Sequence, residues 1–218
     1  MKRNAVQQPP VKRRQAAKEQ RRLQLIKATI EAVAKRGFAG TSISDVARAA
    51  GLSQGIVNLH FESKEKLLIE TLRFVADEYK SAWETALEQA GPAAAEKLAQ
   101  LVELDFKPAL CDRRKLAVWF AFWGEARSRP TYLRLCKQRD QEYDDVLHEL
   151  CKQVIIDGRY KNADADVIAS SLAALTDGLW MDILISHRSM NAGRARQISF
   201  AYLANVFPDH FTDDGVID

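Results

Sequence analysis

Apolar positions along this chain recur at spacings of three and four, the period of an amphipathic helix. Over 18–37, Leu23, Ile26, Ile30, Val33 and Ala34 share one face, and Gly37 predicts the end of the helix. The spacing continues through two shorter segments, with Ile43, Val46 and Ala47 in one and Val57 and Phe61 in the next. Thr41 or Ser42 can cap the first, Gly51 can close it in a left-handed conformation, and Ser53 can cap the second. A fourth helix is predicted from Ser63-Lys64-Glu65-Lys66, with Leu67, Leu68, Thr71, Leu72, Val75 and Tyr79 on its apolar face and Pro92 as its limit. Further helices are predicted over 93–109, 113–128, 130–157, 164–187 and 191–207, separated at Pro108, Pro130, Gly158, Asn162, and Asn191 with Gly193. No stretch alternates in the manner of a strand. The fold class is therefore all-α, with about nine helices.

The pair of short helices over 41–61, joined at Gly51, has the form of a helix-turn-helix, a device that lays its second helix in the major groove of DNA. The same pattern also occurs as ordinary packing in helical proteins, so the pattern alone leaves both readings open. Charge changes the balance. Residues 1–60 carry 12 Lys and Arg against three acids (Glu19, Glu31, Asp45), a net +9. The whole chain is only +3, which leaves −6 for residues 61–218. A basic segment beside an acidic remainder is the electrostatic footprint of a DNA-binding end, because cations that neutralise phosphates release counterions. Residues 1–17, with Pro9-Pro10, read as a flexible basic arm whose Lys12, Arg13 and Arg14 could reach DNA or simply be solvated.

Other chemistry is sparse. Cys111, Cys136 and Cys151 make neither a zinc pattern nor a disulfide framework, as expected of thiols in a reducing cytoplasm. His60, His148, His187 and His210 are scattered and fit no metal spacing. No nucleophile elbow, P-loop or dinucleotide-binding pattern occurs, so no catalytic residue and no cofactor is expected. No uninterrupted apolar run of membrane length and no secretory leader is expected, and a cytoplasmic setting is the expectation. A purely architectural DNA-binding protein would not need the aromatic-rich second half of this chain.

The order of motifs carries a resemblance. A long helix is followed by Thr41-Ser-Ile-Ser-Asp-Val-Ala-Arg-Ala-Ala-Gly-Leu-Ser-Gln-Gly55, by His60-Phe61 and by Ser63-Lys-Glu-Lys-Leu-Leu68. This is similar to the N-terminal domain of TetR-family repressors over about 18–72. The resemblance implies a DNA-binding domain over 18–64, a helical ligand-binding and dimerisation domain over 65–218, operator DNA as partner and a homodimer through the last two helices. At the DNA, Gln54 at the start of the second helix can make bidentate contacts to adenine, Ser53, Asn58 and His60 can reach base edges or phosphates, and Thr41 and Ser42 could meet phosphates at a helix N-terminus; Lys64 resembles the family's phosphate-binding lysine. Gly55 permits close backbone approach. Ser53 could equally be only a cap, and His60 could simply pack near Phe61. The family's frequent Thr-Leu-Tyr after the glycine is replaced here by Ile56-Val57-Asn58, so its tyrosine–phosphate contact is lost in that form.

Leu116-Ala-Val-Trp-Phe-Ala-Phe-Trp-Gly-Glu-Ala126, Arg129-Pro130 and Ala173-Ala-Leu-Thr-Asp-Gly-Leu-Trp180 resemble segments of the family's choline-responsive branch, which controls glycine betaine genes. That implies a choline-like inducer; regulators of the same family answering other small apolar or cationic ligands could share these segments. Trp119 and Trp123 lie four apart, Phe122 and Glu125 are close in sequence, and Asp177 precedes Trp180 by three. Aromatic faces with a nearby carboxylate suit a quaternary ammonium group. The same aromatics would serve as core, and Trp180 as part of a subunit interface.

Overall fold

A computed structural model describes residues 10–186 and 189–217, with side chains except those of 10–13, 138 and 139. Among the described residues it has nine α-helices and one short hairpin. The chain divides into two compact units, Met1–Thr71 and Leu72–Asp218.

The first unit is built on α1 (Pro10–Gly40), α2 (Ile43–Ala50), α3 (Gln54–Phe61) and the opening turns of α4 (Lys64–Gln89). Helix α1 begins at Pro10, earlier than the expected residue 18, because proline suits the first turn of a helix. The part of the expected basic arm over 10–17 is therefore helical; residues 1–9 and the side chains of Lys12 and Arg13 lie outside the described residues. Gly37 interrupts α1 at φ 70°, a conformation costly for residues with a Cβ, so the break falls where the sequence indicates it. Leu25, Ile26, Val33, Val46, Val57, Phe61, Leu67 and Leu68 fill the core, each almost wholly buried.

Two polar ties fix α2 against α1. Gln24 Nε2 donates to the Ala50 carbonyl at 2.7 Å, and Arg36 pairs with Asp45. Ser42 caps α2: its Oγ accepts from the Asp45 amide at 3.1 Å and donates to the Asp45 carboxylate at 2.6 Å. Gly51 ends α2 in the left-handed region, φ 65° and ψ 30°, which turns the chain into Ser53 and α3.

The second unit comprises the rest of α4, then α5 (Ala94–Asp105), α6 (Arg113–Ala126), α7 (Pro130–Gly158), α8 (Ala165–Ile185) and α9 (Ala192–Val206). Helix α7 packs against α5, α6 and α8, and α8 packs in turn on α9. Asp112, Asp164 and Asn191 cap α6, α8 and α9 by accepting from first-turn amides. Strands β1 (Phe211–Thr212) and β2 (Gly215–Val216) form an antiparallel hairpin, where the sequence analysis expects none. Two-residue strands are too short to show alternation.

Helix α8 is long and apolar enough, by length and composition, to cross a membrane. It buries Ile168, Leu172, Leu179, Trp180 and Ile183 inside the bundle. A different stripe, Val167, Ser171, Ala174, Gly178, Met181 and Ile185, stays exposed at spacings of four and three.

The Asp45 carboxyl is held down to about 2, first by the Arg36 hydrogen bond and then by Ser42. A depressed carboxylate stabilises the fold above its unfolded value near 3.8, and loses that effect as pH falls toward about 2. Asp45→Asn is therefore expected to lower the melting temperature at pH 7. Circular-dichroism melts should show the gap from wild type closing between about pH 4 and pH 2; a gap independent of pH would contradict the ion pair as its source.

Candidate functional site

Two places in the chain gather chemistry, one in each unit. In the first unit, α3 is only eight residues long and has two unlike faces. Val57 and Phe61, one turn apart, point into the core. Gln54, Gly55, Asn58 and Leu59 are exposed on the other side. Ser53 caps the helix by accepting from the Ile56 amide at 3.4 Å, so its hydroxyl has a structural role whatever else it meets. Gly55 leaves open space, a Cβ there meeting only Ser53 Oγ at 3.7 Å. The outward face is thus two amide side chains on one helical line, and a glycine and a leucine on the next.

His60 is half-buried, its ring 6.2 Å from that of Phe61. Its pKa lies below the ordinary 6.5, first through burial and then through the charges of Lys18 and Arg21. The imidazole is therefore neutral at pH 7 and can donate from one nitrogen and accept at the other. Lys64 opens α4 and places Nζ 3.5 Å from the Ala39 carbonyl and 5.9 Å from the Phe38 ring centroid. Three donors on one ammonium leave capacity for a phosphate after that bond.

Ser42 is exposed at the start of α2. Thr41 is not: it is 2% exposed and donates to the Gly37 carbonyl at 2.8 Å. The expectation that Thr41 meets a phosphate is corrected, since its hydroxyl is consumed inside the turn after the Gly37 break.

In the second unit a cavity of about 230 Å³ is walled by Tyr79, Tyr143 and Trp180 and rimmed by Asp140, Asp144 and Asp177, with Ala173, Ala174 and Thr176 completing it. The three rings meet edge-on or nearly so. Tyr79 and Trp180 lie 5.7 Å apart at 81°, and Tyr79 and Tyr143 lie 5.5 Å apart at 61°. Their polar edges converge on one residue of α5. Asp105 Oδ1 accepts from Tyr79 at 2.7 Å and Oδ2 from Tyr143 at 3.2 Å, while its carbonyl accepts from Trp180 Nε1 at 2.9 Å. Asp105 is itself 3% exposed. Burial, then the Asp105 charge, pushes both phenols well above their ordinary range, so they remain neutral donors.

Only two of the six expected ligand residues, Asp177 and Trp180, line this cavity. Phe122 is fully buried against Tyr132, with centroids 4.9 Å apart, and belongs to the core. Trp123 packs edge-on to Phe120 at 5.0 Å. Glu125 pairs with Arg129 at 3.2 Å at the end of α6. Trp119 is buried and borders a different hollow with Arg73, Lys80 and Glu142. Of the α6 cluster, Phe122 is therefore core, Trp123 is half-buried beside Phe120, Glu125 lies at the helix end, and Trp119 faces that second hollow.

Tyr79, Tyr143, Asp105, Asp140 and Asp144 are missed by the sequence reading. Tyr79 looks like one more apolar position of α4, and Asp144 like a solvated acid. Only the packing of α4, α5, α7 and α8 brings them together. Among the described residues no group of three or more His, Cys, Asp or Glu could hold a metal ion.

Comparison with known proteins gives both units counterparts. A model of the tetR family of bacterial regulatory proteins matches residues 25–71, and a model of the C-terminal part of BetI-type transcriptional repressors matches 94–208. The chain is 33% identical over 187 residues to the HTH-type transcriptional regulator BetI of Pseudomonas paraeruginosa, covering 84% of this chain and 91% of that protein. It is 31% identical to BetI of Stenotrophomonas maltophilia, with the same coverage. Among solved structures, a transcriptional regulator of Pseudomonas aeruginosa PAO1 superposes with a TM-score of 0.76 at 29% identity, covering 87% of this chain and 91% of that one. A regulator of Saccharomonospora viridis in complex with choline superposes with a TM-score of 0.75 at 26% identity, covering 85% and 96%.

The convergence on Asp105 predicts a cost for removing one donor. Tyr79→Phe should destabilise the protein by about 2 kcal/mol, the range for a hydrogen bond to a buried charged group. Urea denaturation measures this; a loss below about 0.5 kcal/mol would mean that the bond adds little to the fold.

Proposed function

The chain belongs to the TetR family of bacterial regulators, with a C-terminal domain of the BetI type, and on that footing we propose that its inducer is choline or a closely related quaternary ammonium compound. As a BetI-type member it is a ligand-responsive, DNA-binding transcriptional repressor. The inducer reading rests on the cavity at Tyr79, Tyr143 and Trp180. A quaternary ammonium group offers no strong hydrogen-bond donor, so aromatic faces hold it, at about 0.5–2 kcal/mol per contact. Asp140, Asp144 and Asp177 supply charge complementarity. The same carboxylates argue against a purely apolar ligand, which would have to desolvate them without return. The choline-bound regulator of S. viridis, similar across most of this chain, adds support.

At the DNA, Gln54 and Asn58 are the proposed base-reading amides, and Gly55 allows the close approach they need. Ser42, Ser53, His60 and Lys64 are the proposed phosphate or edge contacts, positioning the helix without carrying most of the sequence information. One eight-residue recognition helix reads few bases, so a homodimer addressing two half-sites is part of the proposal. The exposed stripe of α8 fits that role: Ser171, Ala174 and Gly178 permit close approach, flanked by Val167, Met181 and Ile185. Ala174 belongs both to this stripe and to the cavity wall. A ligand that binds one arrangement of α8 better than another shifts the pair between DNA-competent and released forms; equal affinity for both would shift nothing. The proposed setting is the cytoplasm, and the proposal includes no catalytic step.

Calorimetry against choline, betaine aldehyde and glycine betaine tests the ligand. Choline should bind, and Trp180→Ala and Asp177→Asn should each weaken it about tenfold or more, a change of about 1.4 kcal/mol, with operator affinity retained. Absence of both heat and thermal stabilisation with all three compounds would remove the choline reading. For assembly, sedimentation should give twice the 24.5 kDa chain mass. Gly178→Arg should yield monomers with weakened operator binding, and an unchanged dimer would exclude the α8 stripe as the interface.

A further inference from the structure

Leu59 is 74% exposed, more than any other large apolar side chain among the described residues. It sits on α3, whose packing is complete without it, since Val57 and Phe61 already fill the inward face. A leucine left in water forgoes about 1.5–3 kcal/mol of burial, and the fold gives it no partner. Its neighbours say what covers it. Gln54 and Asn58 form one outward line of the helix, and Gly55 and Leu59 the next. Side chains on a helix lean toward its N-terminus, so Leu59 leans over Gly55, where no side chain stands in the way. On this reading of α3 as the recognition helix, the leucine faces the floor of the major groove.

That floor offers one strongly apolar group, the C5-methyl of thymine. Amides read adenine, and adenine is paired with thymine, so an outward face of two amides and one leucine suits A·T pairs at a single step. We infer that Leu59 is a specificity-determining residue that packs on a thymine methyl in each operator half-site. Gln54 and Asn58 bind the edge of an adenine at the same or the adjacent pair. The proposal rests on α3 being the DNA reader and adds which base the apolar contact selects.

The test removes only the methyl group. Duplexes are first selected from a random pool with the wild-type protein, and each half-site thymine is then replaced by deoxyuridine. At one position, in one half-site only, the replacement should weaken wild-type binding about fourfold, the factor for about 0.8 kcal/mol lost with one buried methyl. Substituting both half-sites together should weaken it about fifteenfold if the two are independent. Leu59→Ala should bind the thymine duplex more weakly by a similar factor, with its melting temperature unchanged because the side chain is exposed. The variant should be indifferent to deoxyuridine at that position. Insensitivity of the wild type at every thymine, or equal sensitivity of wild type and Leu59→Ala, would overturn the inference. Loss of dimer mass in Leu59→Ala would also overturn it, by assigning the leucine to a protein contact. Failure of the wild type to select any duplex would overturn the DNA-reading assignment itself, a result distinguishable from the others.

Discussion

In the second unit the carboxylate of Asp105 is the constraint on which the rest depends. It lies at the C-terminal end of α5, where Tyr79 of α4 and Tyr143 of α7 donate to its side chain and Trp180 of α8 donates to its carbonyl. A buried carboxylate without partners costs several kcal/mol, so four helices are drawn to the place where its oxygens are satisfied. The edges of the rings are used up in these bonds. Hydrogen bonding fixes their orientation, and the cavity they wall is a consequence of that fixed geometry rather than a gap left by imperfect packing.

The second consequence falls on α8. One face of this helix supplies Thr176, Asp177 and Trp180 to the cavity, and another presents the exposed stripe that includes Ala174 and Gly178. A helix with the proposed ligand on one side and a proposed partner on the other is a short physical route between the two, because close-packed elements shift between discrete arrangements. Its overall apolarity follows from the same double duty. It is buried on one side by α7 and α9 and left without charges at the centre of the other.

In the first unit the controlling feature is the left-handed turn at Gly51, with the caps on either side of it. Ser42 and Ser53 satisfy the first amides of α2 and α3, and Gln24 and Arg36 fix α2 against α1. Once Val57 and Phe61 are anchored, the outward direction of Gln54, Asn58 and Leu59 is settled by helix geometry alone.

What the sequence determines by itself is local. Helices, caps and the Gly51 turn follow from spacings of three and four and from residues with strong conformational preferences. The family resemblance follows because its motifs are contiguous. The outward face of α3 is legible for the same reason, since all its positions lie within one short helix. Thr41 is the local exception: only the break at Gly37 turns its hydroxyl inward. The cavity proposed to hold the ligand is a different matter. Its residues come from 79, 105, 140–144 and 173–180, and no periodicity links an acid at the end of one helix to tyrosines on two others. The aromatic cluster at 119–123 is contiguous in sequence, yet packing divides it: Phe122 is core, Phe120 and Trp123 are half-buried against each other, and Trp119 borders a separate hollow. Tertiary packing decides which aromatics surround a space and which fill one, because that depends on what lies opposite each side chain.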